Sequence, residues 1–145
     1  MAEIVVVRDQ DAAGELAAGS ILDLIAAKPD AVLGLATGST PLVVYRALER
    51  GIRERGIDVS HVRGYALDEY VGLPADHPES YRAVITREVV EPLGLTPSLI
   101  HVPNGSLEGI EHAGADYEKA IAQSGGVDVQ LLGIGTDGHI GFNEP

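Results

Sequence analysis

The sequence contains no cysteine and no tryptophan, and only one of its 145 residues is phenylalanine. Without cysteines, a disulfide framework and thiolate metal sites are excluded. Because tryptophan is absent and phenylalanine is rare, the apolar 45% of the chain is mainly aliphatic. This composition suits an α/β sheet. Basic residues are also few, because 10 Lys and Arg stand against 22 Asp and Glu, for a net charge of −12. This charge repels nucleic acid and anionic membrane surfaces, so neither is an expected partner.

Long hydrophobic runs are absent as well. No stretch approaches the ~20 apolar residues of a membrane span, and the N-terminal residues lack the basic region and apolar run of a signal peptide. We therefore expect a cytoplasmic protein with a single α/β domain over residues 1–145.

Apolar periodicity predicts five strands that alternate with helices, at residues 4–7, 31–36, 62–67, 99–102 and 127–132. The last strand is expected to be buried on both faces. The alternation predicts a doubly wound parallel sheet with helices on both faces, a Rossmann-like fold. Strand 31–36 is expected to lie between strands 62–67 and 128–133. The loops after these three strands would then meet at one carboxyl edge, where ligands bind.

Capping residues mark the expected helix boundaries. Asp9 or Asp11 is expected to cap the first helix, Thr40 the second and Ser106 the last. Pro29 is expected to end the first helix.

The loop after strand 31–36 offers the features of a phosphate site. Thr37, Gly38, Ser39 and Thr40 stand at a predicted helix N-terminus, where backbone N–H groups, hydroxyls and the helix dipole favour an anion. An ordinary cap and turn is the alternative. The loop is not a P-loop, because the GxxxxGK pattern is absent.

Two adjacent carboxylates follow strand 62–67. Asp68 stands at the strand end, a frequent position for a catalytic carboxylate. Glu69 is expected to point the other way, so their roles should differ. A turn aspartate is the alternative for Asp68.

The chain ends in a loop rich in glycine that carries a histidine and two acids. Asp137 and His139 share a face if the segment is extended, and Glu144 can return to the histidine where Gly141 lets the loop fold back. Two acids near one imidazole would fix its tautomer and favour its charged form. This carboxylate–histidine–carboxylate set suits a proton shuttle.

The same segment allows two other interpretations. A metal site is possible, although one histidine without HxH or HExxH spacing is a weak signal for one. Residues 133–138 also match the dinucleotide pattern GxGxxG. We reject that match because no helix is expected at its third glycine and no acidic residue follows about 20 positions later.

The remaining aromatic and histidine side chains give weaker signals. Three tyrosines at helical positions are expected to pack rather than to contact a ligand, namely Tyr45, Tyr81 and Tyr117. His61, His101 and His112 are expected on the surface or in loops, and His77 is left open.

Three segments in this order resemble the glucosamine-6-phosphate deaminase family. They are LATGSTP at residues 35–41, LDEYVGL at 67–73 with HPESY at 77–81, and GTDGHIGFNEP at 135–145. The related 6-phosphogluconolactonases share the glycine-rich loop and the DGH motif. Where this chain has Asp68-Glu69-Tyr70, the lactonases have a segment that resembles Asp-Glu-Arg. They also lack the final FNEP.

The resemblance implies conversion of glucosamine-6-phosphate and water to fructose-6-phosphate and ammonia, without a metal or organic cofactor. In this family pattern, Asp68 is the base that moves the proton from the amine-bearing carbon to the anomeric carbon, and His139 opens the sugar ring. Asp137 and Glu144 hold and charge the histidine, and residues 37–40 form part of the phosphate cradle.

Members of that family continue past the position of the last residue here, with the lysine and arginine that complete the phosphate site. The resemblance therefore implies an N-terminal portion of a protein that is a homo-oligomer in its full-length form, and the 145 residues alone are not expected to turn over substrate. A lactone hydrolase that uses His139 as base toward water, and a non-catalytic sugar-phosphate-binding regulator, are the alternatives.

Overall fold

The structure is a computed structural model that describes residues 2–143. Within this range, helices and strands alternate in the order α1 Gln10–Ala27, β1 Val32–Leu35, α2 Ser39–Arg55, β2 Arg63–Ala66, α3 Tyr81–Ile85, α4 Glu91–Leu93, β3 Ile100–His101, α5 Ile110–Gln123 and β4 Val129–Gln130. A π-helical segment, Thr86–Val90, joins α3 to α4, and a 3₁₀ turn, Pro97–Leu99, precedes β3. Among the residues described, no helix is both long and apolar enough to cross a membrane.

The strands form one parallel sheet in the order β3-β2-β1-β4. In its register, Gly34 of β1 lies opposite Tyr65 of β2 on one side and Gln130 of β4 on the other. The predicted Rossmann-like fold and the predicted position of the β1 strand between its two neighbours are confirmed. The loops that follow β1, β2 and β4 consequently leave the sheet at the same edge.

Two strand predictions are wrong. Residues 4–7 form no strand, and the side chains of Ile4 and Val6 are 88% and 91% exposed. A run of β-branched residues becomes a strand only where a ladder partner is available, and no described strand pairs with this one. The last strand is not buried on both faces, since Val129 of β4 is only partly buried, Gln130 is exposed and Leu132 beyond the strand is 47% exposed.

Side-chain capping was predicted correctly for only one of the three helices. The Asp9 carboxylate accepts a hydrogen bond of 2.8 Å from the N–H of Ala12 at the start of α1. Neither Thr40 nor Ser106 is a cap, because α2 and α5 follow Gly38 and Gly109 instead. Both glycines have positive φ, 107° and 86°, and this conformation turns the chain into the helix without help from a side-chain oxygen.

The hydrophobic core lies mainly between the sheet and helices α1 and α2, and it is aliphatic as the composition indicates. The two helices approach so closely that a Cβ atom at Gly14 would be 2.8 Å from the carbonyl oxygen of Val43. Representative core side chains are Ile21, Leu22, Ile25, Leu33, Leu35, Val44, Leu48, Val62, Ile85 and Val89.

Tyr45 of α2 fixes the end of β1. Its side chain is 4% exposed, and its hydroxyl donates to the carbonyl of Ala36 at 2.7 Å and accepts from the N–H of Ala36 at 3.1 Å. Burial raises the pKa of this phenol. The prediction that Tyr45 packs is confirmed, and its hydroxyl holds the residue just before the glycine-rich loop.

We expect Tyr45→Phe to lower the free energy of unfolding by about 1–3 kcal/mol, because both backbone groups of Ala36 lose a buried partner. Urea unfolding followed by circular dichroism measures the change. Tyr70→Phe is the matched control, since among the described residues the Tyr70 hydroxyl makes only a 3.4 Å contact at the surface. Equal unfolding free energies for the two variants would contradict this role for Tyr45.

Candidate functional site

A cleft of about 720 Å³ opens at the carboxyl edge of the sheet. The loops after β1, β2 and β4 form its walls together with α3 and the π-helical segment. As the topology predicts, Asp68 and His139 line this one cleft with the first residues of α2. Its main polar and aromatic lining residues are Thr37, Ser39, Thr40, Asp68, Tyr70, Glu79, Tyr81, Arg87, Glu88, His139 and Phe142.

The N-terminus of α2 meets the cleft without a side-chain cap. Gly38 is its N-cap residue, and no side chain bonds to the cap position. Among residues 2–143, the first N–H groups of α2 thus have no side-chain acceptor, and Ser39 and Thr40 add hydroxyls beside them. Together with the positive end of the helix dipole, these groups suit a phosphate.

Asp68 leaves the end of β2 and is half-buried in the cleft. Burial raises the pKa of its carboxyl, and the negative charge of Glu69 raises it further. The loop after β4 comes close to it, since a Cβ atom at Gly141 would be 3.3 Å from Asp68 Oδ2. A carboxylate with a raised pKa, within reach of a ligand, is suited to take up a proton.

Glu69 differs from its neighbour Asp68 in the contacts that its carboxylate makes. Its Oε1 accepts from the N–H of Tyr70 at 2.8 Å and from that of Tyr81 at 2.9 Å, and its Oε2 accepts from the N–H of Arg82 at 2.9 Å. The carboxylate therefore supplies acceptors for the first N–H groups of α3. It holds the β2 loop onto the helix that forms one wall of the cleft.

We expect Glu69→Gln to lower the free energy of unfolding by about 1.5–3 kcal/mol, because an amide offers one acceptor oxygen where the carboxylate offers two charged ones. Thermal and urea unfolding measure this loss. Glu79→Gln is the matched control, since Glu79 is an exposed carboxylate in the same cleft wall. The assignment fails if both variants unfold like the parent protein.

His139 is held by Asp137. Asp137 Oδ1 lies 2.6 Å from His139 Nδ1, and it also accepts from the His139 backbone N–H at 3.3 Å. These two hydrogen bonds lower the pKa of Asp137, so it remains ionised at neutral pH. The pair orients the imidazole with its Nδ1 toward the carboxylate, which leaves Nε2 for a ligand. Asp137 itself is not among the residues that line the cleft.

A tight turn makes this geometry possible. The N–H of Gly135 donates to the carbonyl of His139 at 2.9 Å, and the N–H of Gly138 donates to that of Gly135 at 3.0 Å. Gly138 has a φ of 91°. A Cβ atom at Gly135 would clash with the imidazole of His139, so the glycine is required for the ring to fold over the turn. The predicted third member of the set, Glu144, lies outside the described residues.

The structure adds cleft residues that the sequence did not reveal. Tyr70, Tyr81 and Phe142 form an aromatic group with ring centroids 4.8–5.7 Å apart. Tyr81 packs as predicted, but it also lines the cleft. Arg87 is the only Lys or Arg to do so within residues 2–143. The spacing of Tyr81, Val84 and Arg87 on one helix face is the signal that could have found Tyr81 and Arg87, whereas Tyr70 and Phe142 lie in loops.

The histidines outside the cleft differ from one another. His61 and His112 are exposed as expected. The expectation is wrong for His101, which lies in β3 with its ring stacked 4.9 Å from that of Tyr65, and burial lowers its pKa. His77 accepts from the N–H of Glu79 at 3.1 Å through Nδ1.

The two other interpretations of the last loop have little structural support in the part of the chain described. No three His, Asp or Glu side chains there are placed to hold a metal ion. Gly138 is followed by turns up to Asn143 rather than by a helix, so the context of a dinucleotide fingerprint is missing.

Residues 9–141 match the family model described as glucosamine-6-phosphate isomerases/6-phosphogluconolactonase. A glucosamine-6-phosphate deaminase of Bifidobacterium longum is 58% identical, over 100% of this chain and 57% of its own length. Another from Streptomyces avermitilis is 56% identical, over 99% and 55%. The chain therefore spans little more than half the length of these curated relatives.

Solved structures of the same family are similar to this chain in their backbone. A monomeric glucosamine-6-phosphate deaminase superposes with a TM-score of 0.93 at 38% identity, over 99% of this chain and 60% of its own. The 6-phosphogluconolactonase of Thermotoga maritima gives a TM-score of 0.76 at 25% identity, over 95% and 62%. Both the backbone and the sequence are thus more similar to the first of these two than to the second.

Proposed function

Because this chain belongs to the family of glucosamine-6-phosphate isomerases and 6-phosphogluconolactonases, we propose that its protein is a glucosamine-6-phosphate deaminase. The reaction converts glucosamine-6-phosphate and water to fructose-6-phosphate and ammonia. One observation carries the proposal: Asp68, His139 and the uncapped N-terminus of α2 share a single cleft. The names of the most similar curated relatives favour the deaminase over the lactonase.

The phosphate of the substrate would bind at the N-terminus of α2. The backbone N–H groups after Gly38 and the hydroxyls of Thr37, Ser39 and Thr40 supply donors, and the helix dipole supplies positive potential. An acidic protein can hold a phosphate at this point because the favourable field is local.

His139 would open the sugar ring. With Asp137 bound to Nδ1 at 2.6 Å, the imidazole presents Nε2 as the acid or base toward the ring oxygen. Ring opening exposes the aldehyde at C1, and this makes the proton on C2 removable. In this scheme Glu144 is the second acid that supports the histidine.

Asp68 would then carry the C2 proton to C1. Removal of the proton from C2 gives an enol-type intermediate. Addition of the proton to C1 then leaves an imine at C2. Water adds to that imine, the C–N bond breaks, and the ketone and ammonia are released. The half-buried position of Asp68 strengthens it as a base, because burial disfavours the charged form.

The cellular setting belongs to the same proposal. We place the reaction in cytoplasmic amino sugar catabolism and expect a homo-oligomer for the full-length protein. Cell fractionation and analytical ultracentrifugation test these two points separately from the chemistry.

An ammonia-release assay on the full-length gene product tests the activity. Glucosamine-6-phosphate should yield ammonia and fructose-6-phosphate in equal amounts, whereas glucosamine without phosphate should react far more slowly. Hydrolysis of 6-phosphogluconolactone without ammonia release from the amino sugar would support the lactonase. Tight binding of glucosamine-6-phosphate with neither product would support a regulator.

A further inference from the structure

Tyr81 contacts the loops that follow β2 and β4. Its backbone N–H donates to Glu69, the residue after Asp68, at 2.9 Å. Its ring stacks on that of Phe142, three residues after His139, with centroids 5.7 Å apart and planes 13° apart. It also lies 4.8 Å from the ring of Tyr70. The side chain is therefore fixed from two sides, and it forms part of the cleft wall.

Tyr81 shares its cleft with the third loop. Thr37, the first residue of the proposed phosphate cradle, and Asp68 both line the cleft whose wall Tyr81 helps to form. The phenol therefore faces the same space as the group that would hold the phosphate and the group that would move the proton. A six-carbon substrate that spans these two groups would lie against this wall.

This hydroxyl is available to a ligand. Its described hydrogen-bond contact is to the hydroxyl of Tyr70 at 3.4 Å, much longer than the 2.7–2.8 Å or so typical of O–H···O bonds. A ligand hydroxyl at ordinary distance would displace so weak a contact. Burial, with the hydrogen bond to Tyr70, raises the pKa of Tyr81 to about 12, so the phenol keeps its proton and can donate at neutral pH.

We propose that Tyr81 is a substrate-binding residue whose hydroxyl donates a hydrogen bond to a sugar hydroxyl between the phosphate and the reacting carbons. The inference rests on the proposed function. With the phosphate at α2 and C2 at Asp68, the hydroxyls on C3 and C4 lie in the intervening span. Tyr81 then selects for sugar phosphates that carry a hydroxyl at this position, because a deoxy analogue leaves the phenol without a partner.

Tyr81→Phe in the full-length protein tests the contact. The variant keeps the stacked ring and the backbone bond to Glu69 and loses only the hydroxyl. We expect kcat/KM for glucosamine-6-phosphate to fall about tenfold, the usual effect of one hydrogen bond, with the same melting temperature and unchanged binding of inorganic phosphate. Tyr70→Phe removes the other hydroxyl of the pair, and kcat/KM should fall clearly less in this variant.

Deoxy substrates separate binding from a structural role. The 3-deoxy and 4-deoxy analogues of glucosamine-6-phosphate are assayed with the parent enzyme and with Tyr81→Phe. One analogue should react poorly with the parent enzyme, and that penalty should nearly vanish in the variant, as in a double-mutant cycle. The same penalty in both proteins, or full activity of the variant on the natural substrate, would overturn the proposal.

A protein that is not a deaminase can be distinguished from one in which Tyr81 makes no contact with the sugar. If the parent enzyme releases no ammonia, calorimetric binding of glucosamine-6-phosphate and of its two analogues replaces the kinetic assay. The cycle then reports on Tyr81 alone. Equal binding penalties with the parent protein and the variant would overturn the Tyr81 contact even in a protein that is not a deaminase.

Discussion

Asp68→Asn in the full-length protein is expected to lower kcat for ammonia release by about two to four orders of magnitude, the usual loss when a general base is removed. An asparagine keeps the shape of the side chain but cannot take the proton from C2. The proposed phosphate site at α2 is unchanged by this substitution, so inorganic phosphate should inhibit the variant and the parent protein with similar constants. Incorporation of solvent deuterium into recovered substrate measures the proton transfer directly.

The raised pKa of Asp68 gives this prediction a pH dependence. The base must be ionised, so kcat/KM should rise with pH through a limb that lies above the ordinary aspartate value of about 3.9. The folded protein holds this proton more tightly than the unfolded chain does. The stability that the protonated form contributes is thus complete below the unfolded pKa and is lost as pH rises through the folded pKa.

Asp68→Asn should therefore be inactive at neutral pH without being less stable, which distinguishes it from Glu69→Gln. Urea unfolding of both variants at pH 7 makes the comparison. Deuterium exchange that persists at the parent rate in Asp68→Asn would assign the base to another residue. A large loss of stability in that variant would mean that Asp68 has a structural role.

His139→Gln is expected to give the second large loss, again about two to four orders of magnitude in kcat/KM. Glutamine can donate a hydrogen bond toward the ring oxygen but cannot exchange a proton near neutral pH. Asp137→Asn should lose less, since the imidazole stays in the cleft and only its charged partner at 2.6 Å is replaced. Steady-state kinetics on the two variants give the ranking.

The histidine prediction has its own control and pH test. His77→Gln alters a histidine that does not line the cleft, and its activity should match that of the parent enzyme. Hydrogen bonds to His139 hold the pKa of Asp137 below its usual range. Their contribution is thus present above the unfolded pKa of Asp137 and is lost as pH falls through the folded one. A His139→Gln variant with parent activity would remove this residue from the mechanism.

The order of the strands and the shared edge of the three loops followed from the sequence, because parallel strands with helical crossovers allow few arrangements. The cap of α1 was narrowed to Asp9 or Asp11 for a similarly local reason, and it is the Asp9 carboxylate that accepts from an N–H three residues away. The cleft positions of Asp68 and His139 required only that their loops leave the same edge.

Other features depend on contacts between distant segments and could not be read from local patterns. The carboxylate of Glu69 caps a helix that begins twelve residues later, and Arg87 reaches the cleft only because of how α3 and the π-helical segment lie beside α2. Residues 4–7 failed for the same reason. Their composition favours a strand, but whether a neighbouring strand is available to pair with them depends on the tertiary structure. The chemical roles of the site residues stay predictions until the variants are assayed.

The position of Glu69 has a consequence for how such an enzyme can change. One carboxylate caps α3, and its charge also adds to the effect of burial in raising the pKa of Asp68. A substitution at this position therefore moves the melting temperature and the acid limb of the pH profile together, the limb toward lower pH when the charge is removed. Adaptation to an acidic habitat could not use this route without weakening the cleft wall. Thermal tolerance and pH optimum are in this way linked through a side chain that the substrate need never touch.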